Sequence, residues 1–167
     1  MKNKLISILM ISFVITLIIS TIIIIKWSID NNTNQEILDI IQENVVIKEI
    51  TTTTNNIDKQ STTNTPNIYY DYTKINLIDV NLNELTKINK DTKGWIQVNG
   101  TNINYPFVQT TNNEYYLNKS FNKNKNNAGW IFLDYRNNIN NLDKNTIIYG
   151  HSRQDTTMFG SLKNIFT

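Results

Sequence analysis

The sequence predicts a mainly β domain with helices, carried behind an N-terminal transmembrane helix and a helical stalk. Three observations lead there. An uncharged apolar run from Leu5 to Ile25 is long enough to cross a bilayer. Strand-like runs flank an Asn99-Gly100 dipeptide, a strong short-range hairpin signal. Two continuous apolar runs, 128–134 and 146–149, are bounded by loop residues, as strands buried on both faces would be.

Ile, Leu, Val and Phe dominate the first run, which has no charge and no proline; about 20 such residues at about 1.5 Å rise span the hydrocarbon. A cleaved signal peptide has a shorter apolar region, about 7–15 residues, ending at small side chains. Here Ile22 to Ile25 run straight into Lys26 and Trp27. Lys2, Lys4 and the terminal amine precede the run, and only Lys26 follows closely, so positive charge stays inside. Residues 1–4 are then a cytoplasmic tail and 5–25 a single-pass cell-membrane anchor, with the C-terminal domain extracellular. Trp27 suits the outer headgroup level. The exported part, about 140 residues, is enough for a stalk and one small domain.

Residues 26–67 read as helical stalk and flexible linker. From Asn34 to Ile50 the apolar positions Ile37, Ile40, Ile41, Val45 and Val46 recur at near-helical spacing. Between Thr51 and Asn67 the chain is almost entirely Thr, Asn, Ser, Asp, Lys and Gln, with too little apolar surface to pack. A domain over 68–167 follows. Its first helix is expected from Leu82 to Lys90, capped by Asn81, with Leu82, Leu85 and Ile88 on one face and Gly94 just beyond its end. Strands 95–98 and 101–109 form a hairpin through a type I′ turn at Asn99-Gly100, and Pro106 favours an edge or an irregular spot. Asn112 or Asn113 caps a short helix over 114–117, and 122–127 is a polar loop. After strands 128–134 and 146–149, a last helix from Thr157 to Phe166 is expected to bury Met158, Phe159, Leu162 and Ile165.

Composition narrows the chemistry. The chain has no cysteine, hence no disulfide, no thiolate metal site and no thiol nucleophile. Net charge is +2 with scattered lysines, which gives no electrostatic case for nucleic acid. The single histidine, His151, follows a buried strand at Gly150, where a rigid scaffold meets a loop. An imidazole exchanges protons near neutral pH, so His151 is a candidate general acid/base, although a lone histidine is more often a polar loop residue. One histidine supplies too few ligands for zinc, and no metal or cofactor is expected. Ser152 points away from its neighbour on an extended backbone and lies in no nucleophile elbow. Arg136 and Arg153 read as solvated loop cations.

Several segments taken in order change the weight on His151. Asp91-Thr-Lys-Gly-Trp-Ile, Ile103-Asn-Tyr-Pro-Phe-Val-Gln, Asn113-Glu-Tyr-Tyr-Leu, Gly129-Trp-Ile-Phe-Leu-Asp, and Asn145-Thr-Ile-Ile-Tyr-Gly-His with Met158-Phe-Gly-Ser-Leu closely resemble the class B sortases in order and spacing. The resemblance covers roughly Leu82 to Thr167. It implies a cysteine transpeptidase of Gram-positive cell envelopes, built on an eight-stranded antiparallel β-barrel. In such enzymes a thiolate attacks the carbonyl at a Thr in a C-terminal sorting motif, and an amine of the peptidoglycan precursor resolves the thioacyl intermediate. A histidine serves as acid/base and an arginine stabilises the oxyanion. His151 matches that histidine.

The family's Cys, in a Thr-Leu-x-Thr-Cys strand, and its Arg lie C-terminal to the segment ending at Thr167, and neither Arg136 nor Arg153 takes the arginine's place. The expectation is an incomplete sortase-type barrel, C-terminally truncated and inactive alone. The partners implied are proteins bearing a sorting motif, the peptidoglycan amine and the cell membrane. The alternative is a non-enzymatic membrane-anchored module that binds a sorting peptide or a partner. A cysteine-independent hydrolase would lack an activated nucleophile.

Overall fold

The computed structural model describes residues 2–44, 47–50, 77–141 and 143–166; the expected linker over 51–67 lies outside them. Helix α1 spans Lys2–Asn44 without a break, about 65 Å at the usual rise. The expected span and stalk helix are therefore one element. Between them Lys26 to Thr33 hold neither proline nor glycine, and polarity alone does not interrupt helical hydrogen bonding. α1 stops at Asn44, and Ile47–Ile50 is a strand, β1, paired antiparallel with β2, Leu77–Val80. The β-branched Ile47 and Ile50 suit a strand better than the expected continuation of the helix, and Val45 and Val46 of the expected helical pattern lie outside the described residues.

From Leu5 to Ile25 the large side chains of α1 stand exposed, and α1 is long and apolar enough to cross a membrane. Further along, Asn34, Ile37, Leu38 and Ile41 are buried in the domain's core. Their spacing makes a stripe along one side. Ile40, expected on that stripe, is 55% exposed, and Leu38 takes the inward position.

Helix α2, Leu82–Ile88, begins as expected: the Asn81 side chain accepts a hydrogen bond from the Asn83 N–H at 3.2 Å. Leu85 is fully buried, but Ile88 is 48% exposed because the helix ends there. The terminator is Asn89, whose N–H bonds Leu85 O at 2.8 Å. Gly94 lies instead inside β3, Thr92–Gln97, against the Phe107 ring.

β3 pairs antiparallel with β4, Asn104–Val108. The connection is longer than the expected two-residue turn. Val98 O accepts from Thr101 N–H at 3.2 Å, and of Asn99 and Gly100 only Gly100 takes positive φ, +78°. That is the requirement of a type II turn, not a type I′ turn. The sheet continues to β5, Phe132–Leu133, and β6, Ile148–Tyr149, in the order β3-β4-β5-β6. β4 meets β5 only at Val108 opposite Phe132, so Pro106, which pairs with Trp95 in the β3–β4 ladder, has no β5 partner on its other side. This pairing is parallel, whereas the resemblance implied an antiparallel barrel, and among the described residues no strand joins β6 back to β3.

Trp130 sits in the core beyond this sheet. Its Nε1–H donates to Pro106 O at 2.9 Å, Tyr105 meets its ring edge-on at 5.9 Å, and Phe121 lies at 5.4 Å. A 3-10 helix, Tyr115–Asn118, follows Asn112, whose side chain accepts from the Glu114 and Tyr115 N–H groups, both at 2.9 Å. The last element is also a 3-10 helix, Gly160–Phe166. Met158 is buried, and Phe159 and Leu162 pack on the core, but Ile165, expected to be buried, is exposed.

Candidate functional site

β6 delivers its chain through Gly150 to His151, which is half-buried. The His151 Nε2 lies 2.7 Å from Leu117 O, at the end of the 3-10 helix 115–118. A carbonyl oxygen only accepts, so Nε2 carries the hydrogen and Nδ1 is the nitrogen left to exchange a proton. The loop beyond is fastened twice: the Phe159 N–H donates to His151 O at 3.0 Å, and Ser152 bridges Met158.

Gly129 makes the room for the ring. Its φ is +62°, and a Cβ there would stand 2.7 Å from the carbonyl oxygens of Leu117 and Tyr116 and 2.9 Å from His151 Cδ2. Only glycine meets both demands at low cost.

His151, Gly150, Tyr149, Phe132, Leu117 and Asn113 line a cavity of about 330 Å³. Behind it lies a polar cluster centred on Asp134, buried at the end of β5. Arg136 grips this carboxylate with Nε and Nη2 at 2.9 and 2.7 Å, Asn113 Nδ2 donates at 3.0 Å and the Tyr149 hydroxyl at 2.9 Å. The Arg136 guanidinium and backbone N–H hold the Asp134 carboxyl well below the usual carboxylate range, with Asn113 and Tyr149 adding to the effect. By donating to Asp134, Tyr149 keeps its own proton more firmly than an ordinary phenol. Two lining side chains, Asn113 and Tyr149, are thus fixed by one anion.

The other residues singled out in the sequence are brought elsewhere. Ser152 is exposed, and the histidine's bonded nitrogen faces Leu117 O instead. Arg136 is committed to Asp134. Arg153, expected to be solvated, is enclosed: it bonds Asp155 at 2.9 Å and Asn31 of α1 at 3.3 Å, and lies over the Trp27 ring at 5.6 Å. Sequence reasoning placed Asn113 only as a cap and missed Asp134 and Tyr149 as site residues. The available signal was a carboxylate closing a buried apolar strand, a position where a charge needs partners.

A histidine oriented by a backbone carbonyl at the wall of a partly apolar cavity has the geometry to exchange a proton with a group bound there. The chain is 49% identical over 80 residues to sortase B of Staphylococcus aureus and 36% identical over 82 residues to sortase B of Listeria monocytogenes, matches that take in 48% and 49% of this chain. A solved structure of sortase B from Bacillus anthracis superposes with a TM-score of 0.59 at 32% identity, covering 83% of this chain and 56% of that one. No family model matches. The sequence resemblance to class B sortases is thus borne out: curated homologues cover about half of the chain. The chain spans about a third of the length of the curated relatives it matches, 33% in each case.

Proposed function

We propose that this chain supplies the membrane anchor and the histidine-bearing part of a class B sortase-type transpeptidase. The observation that carries the reading is His151, which closes the Tyr-Gly-His segment after β6, is aligned by Leu117 O and opens on a cavity. In this reading residues 1–4 are cytoplasmic, 5–25 cross the membrane, and 26–67 lead to a domain over 68–167 outside a Gram-positive cell. The partners are a protein with a C-terminal sorting motif and a peptidoglycan amine. His151 passes the proton between nucleophile, leaving amine and acceptor, work worth about 10²–10⁴ in rate.

These residues hold no thiol, and both arginines are committed elsewhere. Neither the covalent step nor an oxyanion donor of the kind worth about 10²–10³ is available from them. By themselves they neither cleave nor transfer a sorting peptide. The test mixes the full chain with a separately made segment carrying the Cys and Arg strands of a class B sortase, whose edge strands can pair in trans. Turnover in the mixture that His151→Ala abolishes supports the proposal. Thiol-reagent-insensitive cleavage by the unmixed chain refutes it, and tight peptide binding by the unmixed chain, with no turnover on mixing, favours a binding module instead.

A further inference from the structure

The attachment of the domain to α1 has a membrane-related consequence. Contacts to the domain start almost where the apolar run stops. Trp27 lies under Arg153; the Asp30 carbonyl accepts from Asn126 Nδ2 at 2.7 Å and its carboxylate from the Asn127 N–H at 3.1 Å. Asn31 bonds Arg153, and Asn34 Nδ2 donates to Gly129 O at 3.0 Å. Further along, Ile37, Leu38 and Ile41 enter the core, and Gln42 Nε2 reaches Asn104 O at 3.2 Å. Polar bonds, an aromatic contact and buried apolar side chains thus fasten one unbroken helix to the domain.

The helix consequently sets heights. Taking about 1.5 Å per residue from Ile25, Asp30 stands about 7 Å, Asn34 about 13 Å and Glu43 about 27 Å beyond the end of the apolar run. The headgroup layer occupies roughly the first 5–8 Å on each side of the hydrocarbon. Asn126 and Asn127 are bonded at the level of Asp30, and His151 sits against Gly129 at the level of Asn34. Exposed Lys26 and Lys125, the latter next to Asn126, add cations near the same height, the charge that anionic lipids attract.

We propose that α1 acts as one rigid strut that seats the His151 end of the domain, through the 125–127 loop, on the anionic phospholipid headgroups instead of letting the domain swing on a tether. This rests on Leu5–Ile25 being the membrane span. Because the chain has no cysteine, single labels are unambiguous. Ile15→Cys, Asn127→Cys and Glu43→Cys variants of the full chain, each carrying a fluorophore, are placed in vesicles of phosphatidylcholine and phosphatidylglycerol containing headgroup or acyl-chain spin-label quenchers.

The acyl-chain quencher should act on position 15, and the headgroup quencher should act several-fold more strongly on 127 than on 43. A seven-residue helical insert of Ala, Glu and Lys after Ile25 adds about 10 Å while nearly preserving the helix face. It should release position 127 from headgroup quenching and leave position 15 unchanged. An unquenched position 15 removes the anchor and the proposal with it. A quenched position 15 with equal quenching at 127 and 43, or an insert without effect at 127, overturns the strut and leaves the anchor standing.

Discussion

Replacing Gly129 by alanine tests the link between backbone and site most directly, and Gly100 provides the control. Both glycines have positive φ, +62° and +78°. An L side chain in that region costs about 1–2 kcal/mol. At Gly100 nothing lies within 4 Å of the added Cβ, so Gly100→Ala should cost that and no more. At Gly129 the Cβ meets two carbonyl oxygens at 2.7 Å and the His151 ring at 2.9 Å. Forcing a methyl into such a packed spot adds about 1–3 kcal/mol, for a total of about 2–5 kcal/mol. Urea unfolding of the detergent-solubilised chain, followed by tryptophan fluorescence, should place the two midpoints about 1 M apart at m values typical of small domains. Because His151 is the chain's one histidine, its imidazole signals are unique. Gly129→Ala should displace the ring and abolish the hydrogen-bonded Nε2–H resonance, which Gly100→Ala should leave in place. Equal midpoints with an unmoved imidazole would show that Gly129 does not hold His151.

Further tests concern the Asp134 cluster and α2. Asp134 has a depressed pKa when folded, so the unfolded chain takes up its proton first as pH falls. Its stabilising effect is present above the ordinary carboxylate pKa of about 4 and is lost progressively below it. The urea midpoint should drop from about pH 5 downward, and Asp134→Asn should flatten part of that slope; parallel pH curves would contradict the assignment. In α2, Leu85→Ala should cost about 2–5 kcal/mol and Ile88→Ala within about 0.5 kcal/mol, because only the first side chain is buried. Thermal unfolding that ranks the two alike would reject the observed orientation of the helix.

Elements whose cause is local were legible in the sequence. Asn81 caps α2 because a short side-chain oxygen reaches a free N–H two residues on, and that geometry belongs to the residue type. Gly100 turns the chain for a similar reason, although the turn type followed from how far β3 and β4 pair. Burial of single apolar residues was less legible. Ile40 and Leu38 differ little in hydropathy, and what places Leu38 inward is the surface α1 lies against, assembled from residues far along the chain. The same holds for Ile88 and Ile165, which satisfy a helical pattern on elements that end or tighten before the pattern does.

The candidate site divides along a related line. His151 and the cluster that fixes Asn113 and Tyr149 are side chains, and each leaves a mark in the sequence. The groups that orient the histidine leave almost none: a carbonyl exists at every residue, and nothing distinguishes Leu117 O until the 3-10 helix points it at β6. Gly129 leaves only the absence of a side chain, at the start of what reads as an ordinary apolar strand. A lone histidine is therefore a weak signal, because its imidazole has the same chemistry in any loop. Proton transfer depends on which nitrogen carries the hydrogen and where the other one points. In this chain Leu117 O sets the first and the space at Gly129 lets the ring reach that carbonyl, so Gly129→Ala, by displacing the ring, should break the Nε2–H contact without any change to the histidine itself.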